Sequence, residues 1–71
     1  MFKNLLAEMG RIGITKMDIS RDLDYVYNTV QNKFKGKTEW VNSEMFAIRD
    51  KYFPDKTIEY LFEKEESKGG G

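Results

Sequence analysis

The stretch MDISRDLDYVYNTVQNKFKGK, residues 17–37, decides the fold. Ile19 and Leu23 stand four apart, and Val26, Val30 and Phe34 repeat at the same interval, so two short helices each carry an apolar stripe. The phase breaks at Asp24. Aspartate enters the left-handed backbone region more readily than most residues with a β-carbon, which predicts a tight turn there. Thr15, with Asp18 three residues on, forms a variant capping box that starts the first of these helices near Lys16. The second is expected over 26–35, ending at Gly36, with Val26, Val30 and Phe34 inward. Tyr27, Asn28, Gln31, Asn32 and Lys35 then fall on its opposite side.

Upstream, Phe2, Leu5, Leu6, Met9 and Ile12 define one face of a helix over about 2–12, and Gly13 supplies a stop. Downstream, Val41, Met45, Ile48 and Tyr52 form the longest helical stripe in the chain. Asn42 or Ser43 is the expected cap, Phe46 and Phe53 are a second apolar edge, and Pro54 is the terminator. Thr57 caps a last short helix carrying Ile58, Leu61 and Phe62. Trp40, in the loop before the fourth helix, is expected to plug the core. Met9, Met17 and Met45 are expected to fill gaps in it. Leu5, Leu6, Ile19, Leu23, Val30, Phe34, Ile48 and Leu61 should form its centre. Tyr60, Leu61 and Phe62 are more apolar surface than one short helix hides, which suggests a dimer interface.

All 71 residues fit one domain, expected over 1–63, with a charged, glycine-ended tail at 64–71 expected to be disordered. There is no cysteine and no histidine, hence no disulfide, no thiolate metal site and no imidazole base. Neither cofactor nor metal is expected. The acids are spread over helix faces, and no glycine-rich phosphate loop or nucleophile–base set occurs, so an enzyme is not expected either. No apolar run is long enough for a membrane span. Net charge is zero, but residues 1–40 hold seven basic side chains against five acidic, and the remainder five against seven. A basic front half is a mild footprint of the kind that attracts phosphate.

Ser20 lies four positions before Asp24, and Val30 six after it. This spacing resembles the helix-turn-helix of lambda-repressor-like and Cro-like phage regulators, in which a small residue permits close helix crossing and a branched residue fills the angle. Residues 32–38, Phe53-Pro54 and 59–62 extend the likeness to about residues 2–63. Asp24 stands where such proteins usually have glycine, and Val26 where they usually have a capping Ser or Thr.

The resemblance implies an all-α, five-helix lambda-repressor-like domain that regulates transcription by binding a double-stranded DNA operator as a homodimer, in the cytoplasm or nucleoid of a bacterial host. Helix three would lie in the major groove. Tyr27, Asn28, Thr29, Gln31 and Asn32 would contact bases, the amides pairing with adenine, and Lys16, Lys33, Lys35 and Lys37 would contact phosphates. A different reading stays open: a protein-binding module, such as an antirepressor, using Tyr25, Val26 and Tyr27 as an apolar patch beside Asp22 and Asp24.

Overall fold

Threonine caps set two of the helix starts. Thr15 Oγ1 accepts the Asp18 N–H, while the Asp18 carboxylate accepts the Thr15 N–H at 2.8 Å, so two otherwise unpaired donors are satisfied where the second helix begins. Thr57 Oγ1 likewise accepts the Tyr60 N–H at 3.1 Å. In the computed structural model, which describes residues 2–64, the helices are α1 (Lys3–Ile12), α2 (Lys16–Leu23), α3 (Tyr27–Lys35), α4 (Asn42–Tyr52) and α5 (Ile58–Leu61). No strand occurs among the described residues. Of the expected tail only Lys64 is described; 65–71 lie outside those residues. No helix is long and apolar enough to cross a membrane.

Three helices end in the left-handed conformation. Gly13 (φ 81°) closes α1 and Gly36 (φ 86°) closes α3, positions where a β-carbon would be strained. Asp24 (φ 60°) closes α2 and is the one residue other than glycine with positive φ among those described. The expected turn is therefore present, and its N–H reaches back to the Ser20 and Arg21 carbonyls.

α2 packs on α3, and α5 packs on both α1 and α4. Leu5, Ile19, Val30, Phe34, Phe53 and Leu61 are completely or almost completely buried, with Phe2, Met9, Trp40 and Ile48 closing the core around them. Leu6 and Leu23, expected at the centre, lie at its margin. Trp40 fills the role assigned to it. It meets Phe34 at 5.3 Å, Phe62 at 5.4 Å and Phe2 at 6.3 Å between ring centroids, each pair edge to face. Such pairs each add about 0.5–1.5 kcal/mol beyond the area they bury.

Four expectations are corrected. Val26 is not inward: it is the residue before α3, in extended conformation, and is 69% exposed. The chain is still leaving the turn at that point, so the buried stripe begins at Val30. Val41, not Asn42 or Ser43, precedes α4, and the Glu44 carboxylate accepts its N–H at 3.0 Å. Val41 is consequently outside the helix and exposed. Phe46 makes no second core edge; it is 48% exposed beneath the Arg49 guanidinium, because Glu44 and Ile48 hold the inward face of α4. Met17 is exposed too, although Met9 is buried and Met45 packs at the core edge.

Candidate nucleic-acid interface

The α2–turn–α3 unit is fixed from inside by two residues. Ser20 is buried and small, and its hydroxyl donates to the Met17 carbonyl at 2.8 Å, so it brings no unsatisfied group into the contact. Val30 is fully buried. With that side of α3 committed, Tyr27, Asn28 and Lys35 face outward, and Thr29, Gln31 and Asn32 are half-buried beside them. Gln31 and Asn32 stand three and four residues after Asn28, and Lys35 four and three after them, which aligns the set along one stripe. No side chain caps the start of α3.

The sequence-predicted phosphate contacts divide into two kinds. Lys35 and Lys37 are exposed and make no ion pair among the described residues. Lys16 lies at the start of α2, where its Nζ donates to Gln31 Oε1 at 2.9 Å and sits 5.2 Å from the Phe34 ring centroid. Its partner is a neutral amide, so its charge is not cancelled. Lys33 is the correction. It is 8% exposed, donates to the Glu39 carbonyl at 2.9 Å and pairs with Glu44 at 3.1 Å, so it holds the domain together and cannot reach a phosphate without breaking both contacts.

Glu44, which sequence reasoning did not single out, is the hub of this end of α3. Its carboxylate accepts from the Tyr25 hydroxyl and the Val41 N–H as well as from Lys33. Burial pushes its pKa upward, but these hydrogen bonds and the lysine charge outweigh burial and hold it below the ordinary glutamate value. A signal for both residues was available. Lys33 falls three after Val30 on the inward stripe, and Glu44 falls three after Val41, at the position from which an acid reaches back to a helix start.

Asp22 is similarly occupied, taking hydrogen bonds from the Tyr52 hydroxyl and from Lys51 at 2.9 Å. The Tyr52 bond, followed by Lys51, lowers the Asp22 pKa, and the same bond pushes that of Tyr52 up to about 12. Asp18 is held by Arg21 at 3.0 Å. Of the acids between Asp18 and Glu44, only the side chains of Asp24 and Glu39 lack an ion pair or hydrogen bond among the described residues.

Of the triplet expected at a dimer surface, only Leu61 is fully enclosed. Leu61 is completely buried within one chain, Phe62 packs on Trp40 and Phe2, and the Tyr60 hydroxyl donates to Glu8 at 2.9 Å. The core takes in Leu61 and the aromatic cluster part of Phe62, while Tyr60 stays 39% exposed. At the other triplet, Tyr25 is tethered to Glu44, whereas Val26 and Tyr27 face outward. Among the described residues no group of three or more carboxylate, thiol or imidazole side chains could hold a metal ion. No protein-family model, curated protein or solved structure matches the chain.

Proposed function

We propose that this chain is a helix-turn-helix DNA-binding regulator of the lambda-repressor-like kind, with α3 entering the major groove and α2 lying across the backbone. One observation carries this reading: α3 offers a stripe of amides, Asn28 exposed and Gln31 and Asn32 half-buried, beside uncancelled lysines, while the neighbouring acids are mostly consumed by internal pairs. Lys16 is bonded to Gln31 within it, and Lys35 and Lys37 stand at its C-terminal end. The zero net charge of the whole chain thus misstates the charge this face offers to a phosphate backbone. Two copies on an inverted repeat would double the bases read, since one short helix reads few.

The test is duplex binding by fluorescence anisotropy, with the duplex taken from a random-sequence selection and titrated over a range of salt. Lys35→Ala and Lys37→Ala should each weaken every duplex alike and reduce the slope of log affinity against log salt by about 0.9. Salt-insensitive binding, or none, rejects the reading.

A second reading has a specific observation in its favour: Val26 and Tyr27 present apolar surface outward, two and three residues after Asp24. A protein-binding module would use them as its anchor. Tyr27→Ala would then abolish capture of a protein partner, with the lysine substitutions having no effect.

A further inference from the structure

The first turn of α3 carries Tyr27 and Asn28, the two exposed members of the proposed base-reading set, yet no side chain caps it. Val26 stands at the cap position and has no side-chain acceptor to offer, whereas α2 and α5 each begin on a threonine that accepts a first-turn N–H. What holds the entry to α3 comes from another helix. Tyr25, the residue before Val26, donates its hydroxyl to the Glu44 carboxylate on α4, and its ring centroid stands 6.0 Å from Lys33 Nζ. Lys33, in the last turn of α3, pairs with the same carboxylate at 3.1 Å. The acid has room for all its partners: Oε2 takes the tyrosine, and Oε1 takes Lys33 and the Val41 N–H. One buried group thus ties down both the chain just ahead of α3 and the helix about two turns later.

Fixing the residue ahead of a helix removes backbone freedom that an uncapped first turn would otherwise regain. Resting on the DNA-binding reading above, we infer that Tyr25 is a positioning residue for base recognition: tethered to Glu44, it stands in for the missing cap and holds Tyr27 and Asn28 in the geometry that enters the groove. Its hydroxyl is committed to Glu44, so it acts through α3 and not on a base. The phosphate contacts proposed for Lys16, Lys35 and Lys37 do not depend on it, since these residues lie at the start of α2 and at or beyond the other end of α3. Base reading and phosphate attraction are therefore supported by different parts of the same unit.

The experiment compares the full chain with Tyr25→Phe, which keeps the ring and loses the hydroxyl. The Thr29 N–H closes the first turn of α3 on the Val26 carbonyl at 3.1 Å, and its hydrogen exchange is followed by NMR without DNA. Protection at Thr29 should fall by more than that of the α1 amides. Adding Val26→Ser to Tyr25→Phe supplies a local cap and should restore it, by more than the same substitution adds to the wild type. Anisotropy with a selected duplex and a scrambled one then reads recognition. Tyr25→Phe should bind the selected duplex about fivefold more weakly, the scale of a lost cap expressed as a smaller population of ordered first turns. The scrambled duplex and the salt slope should be unchanged. A general loss of fold would weaken both duplexes alike. Unchanged Thr29 exchange, an equal loss on both duplexes, or collapse of the whole fold in Tyr25→Phe overturns the positioning role and leaves DNA binding standing. Failure of the wild type to select any duplex overturns both.

Discussion

Two triplets of the chain look alike as sequence, yet their middle residues end in opposite environments, Leu61 fully buried and Val26 69% exposed. Tyr60-Leu61-Phe62 and Tyr25-Val26-Tyr27 each place an aliphatic residue between two aromatics. The first is drawn into the α1–α5 seam. Leu61 joins the core, Phe62 joins the Trp40 cluster, Tyr60 bonds Glu8, and Asn4 Nδ2 donates to the Tyr60 carbonyl at 2.9 Å and to Glu63 at 3.2 Å. The second sits where the chain leaves a left-handed turn, and only Tyr25 is tied inward. Apolar composition by itself does not mark a binding surface. What distinguishes the two is whether other elements of the same chain have already closed over the group.

Leu61→Ala attacks the closed triplet and should have the largest effect. It removes a fully buried side chain where α5 meets α1 and α4, at a cost of about 2–5 kcal/mol in denaturant unfolding, enough to leave a domain of this size largely unfolded. A cost below about 1 kcal/mol would mean that α5 is not part of the cooperative core.

Glu44→Gln tests the tether of the open triplet. It removes the charge facing Lys33 and should cost about 1–3 kcal/mol. Glu44 has a lowered pKa in the folded protein, so its stabilisation is fully present above the ordinary glutamate value of 4.5 and is lost as pH falls through the lower, folded value. The wild type should therefore lose stability below about pH 4.5 more steeply than Glu44→Gln, as read by melting temperature against pH. Parallel curves would show that Glu44 contributes no such linkage.

The smallest effect sharpens the comparison most. Val26→Ser supplies the missing cap of α3 and should raise stability by about 0.5–1 kcal/mol, yet weaken duplex binding by removing the most exposed apolar residue at the tip of the helix. Unchanged or tighter binding would show that Val26 makes no contact with DNA.

Local rules made much of this legible in the sequence. The Thr15 box, the left-handed Asp24, the stops at Gly13 and Gly36 and the burial of Val30 and Phe34 all follow from capping chemistry and from intervals of three and four residues, and the plugging role of Trp40 from its size and its place in a loop between helices. The errors also have physical sources. Val26 and Val41 continue apolar stripes on paper but lie just before their helices, where the backbone is extended and the helical interval does not apply. Lys33 and Glu44 defeated a reading in which charge means surface, because each makes the other's burial tolerable across a helix boundary. The face of α3 was legible as a list of residues but not as an arrangement. The bond from Lys16 to Gln31 depends on how α2 crosses α3, and no local spacing encodes that.

Trp40, the single tryptophan of the chain, makes the domain its own optical gauge. Its indole is clasped by Phe2 from ahead of α1, Phe34 from α3 and Phe62 from beyond α5, and its Nε1 is buried with no acceptor among the described residues. Emission from such an apolar cage lies at short wavelength and moves to the red when water enters. Because the cage is built from both ends of the described chain as well as its middle, one fluorophore signals whether the first and last segments have closed together. The indole proton, shielded from solvent, should exchange only when that closure is undone.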